Sequence, residues 1–161
     1  MGTEPVAIWA ALAETALAVA IKETTWAYPI LETVHLIGLG LLVGPILLFD
    51  TAILGRTGGL SMRGVRRLLL PAVFAGLVLN VASGGLLFLS DAAEFAANPA
   101  FQAKLALIAV ALLNGALFQA RYREAGAADS RIGTGGKVQA AASVALWLAV
   151  VVAGRMIAYV G

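Results

Sequence analysis

Pro29-Ile-Leu-Glu-Thr-Val-His-Leu-Ile-Gly-Leu-Gly-Leu-Leu-Val-Gly-Pro-Ile-Leu-Leu-Phe-Asp50 decides the fold. The run is apolar almost throughout and exceeds the roughly 20 residues a helix needs to cross a hydrocarbon core. It lacks the strict alternation of a barrel strand, and a helix is the other way to satisfy backbone groups in lipid. Extended to its natural ends it predicts a span over about 29–54, and three further stretches, about 67–90, 103–122 and 138–160, pass the same test. Turn signals separate them: Gly55-Arg-Thr-Gly-Gly59, Asn98-Pro99 and Gly133-Thr-Gly-Gly136.

Composition agrees. The chain has 161 residues, 61% of them hydrophobic and 12% charged, and a mean hydropathy of +0.93. Soluble domains average about 45–50% apolar and about 25% charged, so lipid must solvate many of these side chains. The length suits one small bundle. Without cysteine, disulfides, thiolate metal sites and cysteine nucleophiles are excluded. Glu4 precedes the first apolar stretch and no Lys or Arg comes before Lys22. That is not the basic opening of a secretory signal, and the N-terminus is expected to be retained. Residues 5–21 are short for a span and are interrupted by Glu14. They read as a helix lying on the interface rather than a fifth span, with Trp9, Trp26 and Tyr28 at headgroup level. The expected fold is all-α: a polytopic membrane four-helix bundle over 29–161, preceded by an N-terminal amphipathic interfacial helix within 1–28.

Charge sets an expected orientation. Eight of the eleven basic residues, Arg56, Arg63, Arg66, Arg67, Arg121, Arg123, Arg131 and Lys137, flank the first and third connectors. The other side holds Lys22, Lys104 and Arg155, with six of the nine acids. The positive-inside rule puts the basic side in the cytoplasm and both termini outside, on the periplasmic face of a bacterial inner membrane. Gly40 and Gly44 on the first span, and Gly76, Asn80 and Gly84 on the second, have the four-residue spacing that lets membrane helices approach closely.

His35 is the only histidine, and an ionisable residue at membrane depth is a functional-site hypothesis by default. Glu32 lies one turn before it. At 1.5 Å per residue His35 sits about 9 Å below the start of its span. Antiparallel spans bring Lys104, Arg155 and Met156 to a similar depth, so Glu32, His35, Lys104, Arg155 and Met156 are candidates for one outer polar layer. A structural reading pairs Glu32 with Arg155, because a lone buried charge is costly. It lets Lys104 snorkel from its helix end and bonds the His35 imidazole to Glu32, Thr33 or a neighbouring helix. It also pairs Asp50 with Arg66, Arg67 or Arg121 and bridges Asn80 to Asn114 if their helices are neighbours. The functional reading makes His35 a haem b ligand, with Gly38 leaving room for the macrocycle and Arg155 and Lys104 pairing its propionates. Met156 or a second protomer's histidine would complete the iron. A metal site on His35 would need more ligands than one His, one Glu and one Met supply. A proton relay through Glu32 and His35 stays open. No phosphate-binding glycine fingerprint, H-E-x-x-H or G-x-S-x-G is present. The basic residues flank spans, which argues for topology rather than nucleic-acid binding.

Trp26-Ala-Tyr-Pro-Ile-Leu-Glu-Thr-Val-His-Leu-Ile-Gly-Leu-Gly-Leu-Leu-Val-Gly44 with the later Phe49-Asp50 resembles an uncharacterised family of small bacterial four-helix membrane proteins, a domain of unknown function. Asn98-Pro-Ala-Phe-Gln-Ala-Lys104-Leu, Leu113-Asn114 and Gly154-Arg155-Met-Ile-Ala-Tyr159 are similar to it as well, so the resemblance covers most of the chain from about residue 22. The family often continues the first-span aspartate with Leu-Arg, where this chain has Thr51-Ala52. It tends to carry a histidine near the end of the third span, where this chain has Gln119. Gln119 and His35 fall near opposite ends of the bundle and are not expected to share a metal. The resemblance implies a fold and a bacterial membrane, not a mechanism.

Three functions follow. The first is an accessory or structural subunit of a membrane assembly, redox-linked, without catalysis of its own, its partners being lipid and other membrane subunits or a second copy. The second is a small b-type cytochrome passing electrons through haem at His35. The third is a proton, metal or solute transporter or channel, which four short spans disfavour without oligomerisation.

Overall fold

A computed structural model describes residues 4–55, 62–122 and 132–160. Arg56, Arg123, Arg131 and the Arg56–Gly59 part of the first connector lie outside the described residues, as does the side chain of Arg63. The described residues form seven helices: α1 Glu4–Ala13, α2 Ala16–Glu23, α3 Ala27–Ile53, α4 Met62–Ser90, α5 Ala92–Ala97, α6 Pro99–Tyr122 and α7 Thr134–Met156. Four of them, α3, α4, α6 and α7, are long and apolar enough to cross a membrane. This is an all-α four-helix bundle with multi-pass membrane character.

The bundle is apolar outside as well as inside. Leu68 is 77% exposed and Val81 is 68% exposed, which suits lipid and would be costly in water. Pro45 in α3 and Pro71 in α4 each remove one backbone donor without ending the helix. Gly55 closes α3 with φ +85°, a left-handed conformation that glycine adopts without a Cβ penalty.

Local capping explains where the boundaries depart from the expected ones. The 5–21 segment forms two helices rather than one. Thr15 leaves the helical region, accepts from the Ala18 amide at 3.4 Å and donates to the Leu12 carbonyl at 2.8 Å. That caps α2 and separates it from α1. With 10 and 8 residues, neither reaches the roughly 20 of a span. The third span begins at Pro99 rather than 103. Asn98 accepts from the amides of Ala100 at 2.9 Å and Phe101 at 3.2 Å, and Pro99 takes the first helical position, where a missing N–H costs nothing. The same Asn98 donates to the Ile157 carbonyl at 3.1 Å, tying the start of α6 to the end of α7. The fourth span stops at Met156, short of 160, in a terminal turn.

Helix α3 packs most extensively on α4 and also on α7, and α6 packs on α7, whereas the backbones of α4 and α6 stay apart and the two helices meet at the Phe88–Phe101 stack. A core of Leu42, Val43, Ala111, Trp147 and Val150 forms where α3, α6 and α7 meet. Glycine closes the α3–α4 seam. A Cβ on Gly76 would run into the Leu42 amide nitrogen and lie 2.7 Å from the Gly38 carbonyl oxygen. A Cβ on Gly38 would lie 2.7 Å from Asn80 Nδ2. The stripe expected on the second span is therefore the contact face, but its partner is Gly38. Gly40 and Gly44 meet nothing within 4 Å. At 100° per residue they point away from α4.

Helices α1, α2 and α5 gather at the end of the bundle where α6 begins and α7 ends. Lys22 pairs with Asp91 at 3.4 Å there. Trp9 packs edge-on to Phe88 at 5.6 Å, and Phe88 stacks on Phe101 at 5.5 Å. Trp9 thus packs inward on the bundle, while Trp26 is 71% exposed.

Candidate functional site

Because α4 and α6 do not close on each other, all four long helices line two cavities stacked along the bundle. One, at the α5 end, has a volume of about 540 Å³ and carries His35, Asn80 and Lys104 in a largely apolar wall. The other, toward the opposite end, has about 250 Å³ and carries Asp50, Arg66, Asn114, Gln119, Gln139 and Ser143. Leu77 and the buried Trp147 line both and divide them.

His35 is held by α4. Its Nδ1 lies 3.0 Å from the hydroxyl oxygen of buried Ser83. Ser83 has one hydroxyl proton and donates it to the Leu79 carbonyl of its own helix. Ser83 must therefore accept from His35, so Nδ1 carries the ring proton. In the neutral ring Nε2 then holds the free lone pair, and it has no hydrogen-bond partner among the described residues. Gly84 makes the approach possible, since a Cβ there would stand 3.0 Å from His35 Cε1. The expectation of a neighbouring-helix partner holds, with Ser83 and neither Glu32 nor Thr33. Thr33 bonds the Pro29 carbonyl at 2.8 Å, and Glu32 is exposed and off the cavity wall.

The outer polar layer is only partly assembled. Lys104 is half-buried, reaches the cavity of His35 and runs along α7, with its Nζ 3.4 Å from where a Cβ of Gly154 would be. It has no carboxylate partner, because Lys22–Asp91 is the one ion pair among the described residues. The expected Glu32–Arg155 pair does not form. Arg155 is exposed, donates to the Tyr159 hydroxyl at 3.0 Å and lies over its ring at 5.3 Å. A partner one turn away on the same chain end replaces one across helices. Met156 is 41% exposed. Neither Arg155 nor Met156 lines the cavity of His35. Gly38 leaves no room for a macrocycle, because Asn80 occupies the space beside it.

Asn80 and Asn114 do not meet, because α4 and α6 are not packed neighbours. Asn80 donates back to the Gly76 carbonyl at 2.9 Å. Asn114 pairs with Gln139 on α7 instead. Asn114 Nδ2 donates to the Gln139 carbonyl at 3.2 Å, and Gln139 Nε2 donates to the Asn114 carbonyl at 2.9 Å. This reciprocal pair locks α6 to α7. Matching depths, Asn114 in the second half of α6 and Gln139 in the first half of α7, were the signal that could have found it.

Asp50 has no arginine partner among the described residues either. It is 5% exposed, the Ser143 hydroxyl faces it, and its Oδ2 has no hydrogen-bond partner. Arg66 lines the same cavity without pairing, and Arg67 and Arg121 are exposed. Gln119 shares Asp50's cavity rather than that of His35, in line with their expected separation. No group of three or more His, Cys, Asp or Glu among the described residues could hold a metal ion, so a site built only from such side chains around His35 is not supported. Comparison of the chain with family models, with curated proteins and with solved structures finds no match.

Proposed function

We propose that this chain is a small integral membrane subunit that carries haem b in its α5-end cavity within a larger redox assembly. The lock on His35 carries the reading. Ser83 fixes the tautomer, and Nε2 is left as a lone-pair donor on a residue that lines a cavity of about 540 Å³. A hydrogen bond to the other ring nitrogen is the usual way a ligating histidine is oriented. The volume lies within the roughly 300–1,000 Å³ of small-molecule sites, and Phe88, Phe101 and Val150 supply apolar wall.

His35 would hold the group through Nε2, and Lys104, whose ammonium lacks a carboxylate among the described residues, would pair a propionate. Haem, when bound, supplies one-electron transfer. The apolar wall keeps water from the imidazole, and Ser83 keeps the ring from turning. Arg155 and Met156 are off the cavity wall, so they leave the candidate set, and His35 is the residue of this chain that would hold the iron. Arg66, Arg67, Arg121 and Lys137 lie at the other end of the bundle. On the positive-inside rule the α5 end then faces outward from a bacterial inner membrane. Its partners on this reading are lipid and neighbouring membrane subunits or a second copy.

The test is the absorption spectrum, oxidised and dithionite-reduced, of protein purified in mild detergent from haem-replete cells. The expected result is a Soret band with reduced α and β bands, lost in His35→Ala and altered in Ser83→Ala. A featureless spectrum from folded protein overturns the proposal.

A further inference from the structure

The second cavity is unrelated to His35 and has its own chemistry. Asp50 is 5% exposed and its Oδ2 has no partner. A buried charge left alone is costly, so a carboxylate there needs a cation or a proton. The cations among the described residues do not supply one. Arg66 shares the cavity but makes no ion pair with Asp50, and the one ion pair among the described residues is Lys22–Asp91. Most of the remaining wall is apolar and aromatic, beside the polar Asn114, Gln119, Gln139 and Ser143. Phe49, Phe74, Phe118 and Trp147 line it, with Phe49 edge-on to Phe118 at 6.0 Å. Aromatic faces attract cations, best where water is excluded. Asp50 is the one carboxylate among the described residues of this wall, which suits a bare divalent metal ion poorly.

We infer that the Asp50 cavity is a binding site for an organic cation, a protonated or quaternary amine with an apolar body, its charge on Asp50 and its body against Trp147 and the phenylalanines. Ser143 is a positioning residue that holds the carboxylate from the side away from the free oxygen. The Asn114–Gln139 pair keeps α6 and α7 together across the cavity.

Trp147 provides the readout. The full chain carrying Trp9→Phe and Trp26→Phe leaves it as the sole tryptophan of the three. This protein, in detergent micelles, is titrated with benzyltrimethylammonium and separately with neopentylbenzene, its neutral isostere. The expected result is saturable quenching by the cation, at least about tenfold tighter than by the isostere, as a charge-assisted contact requires. Asp50→Asn should abolish that preference while circular dichroism and the melting curve match the parent. Equal affinity for the two probes, or no saturable quenching, overturns the proposal even if Asp50→Asn fails to fold. An unchanged preference in folded Asp50→Asn overturns it as well, whereas its loss together with cation preference in the parent establishes the site.

Discussion

Helix α4 meets α3 along Gly76, Asn80 and Gly84, and it faces α6 across two cavities. Both relationships join apolar helices of similar length, yet one is closed to backbone contact and the other stands open. In lipid there is no hydrophobic penalty for leaving a helix face unpacked, so association depends on close fit and polar links. The α3–α4 seam has both: glycines that let backbones touch, and His35 bonded to Ser83. Between α4 and α6 the described residues supply neither. The open side is where Asp50 and His35 line space that this chain does not fill.

The contrast can be broken by mutation, with stability read as unfolding in mild detergent followed by circular dichroism. Trp147→Ala has the largest expected effect, because it removes the divider of the two cavities and part of the α3–α6–α7 core. The loss should be about 3–5 kcal/mol. Gly76→Ala comes next, at about 1–3 kcal/mol, since the new methyl would press on backbone atoms that cannot swing aside. A neutral Gly76→Ala would mean that the seam is not the tight contact described. Asn98→Ala should cost about 1–2 kcal/mol, through loss of the α6 cap and of the tie to Ile157. Asn114→Ala should cost about 0.6 kcal/mol, the average for such bonds between membrane helices. Gly40→Ala, with nothing within 4 Å, should stay within about 0.5 kcal/mol of the parent. A Gly40→Ala cost equal to that of Gly76→Ala would erase the distinction between the two glycine faces.

Much of the frame was legible in the residues. The four spans are where hydropathy put them, with shifts at their ends that trace to particular caps. Asn98-Pro99 was readable as a turn, but its role as cap and inter-helix tie depends on Ile157 being alongside. The site was less legible. His35, Lys104 and Asp50 were singled out and line the two cavities, yet Arg155 and Met156 were grouped with His35 by depth alone and Glu32 by its place one turn before it. Depth follows from 1.5 Å of rise per residue, whereas contact also needs rotation, and each residue turns the face by 100°. Ser83, Ser143 and Gln139 went unremarked because a small or neutral polar residue barely disturbs a hydropathy window.

By itself, the sequence determined that the chain is helical, that four segments are long and apolar enough to cross a membrane, and which titratable groups lie within them. Those properties are sums over neighbouring residues, and a window of about 20 captures them. Only the tertiary structure decided that α3 sits between α4 and α7, that Asn114 bonds Gln139 rather than Asn80, and that Asp50 pairs with none of the described arginines. These depend on helix order and rotation, which glycine contacts and a few long-range hydrogen bonds set between residues far apart in the chain.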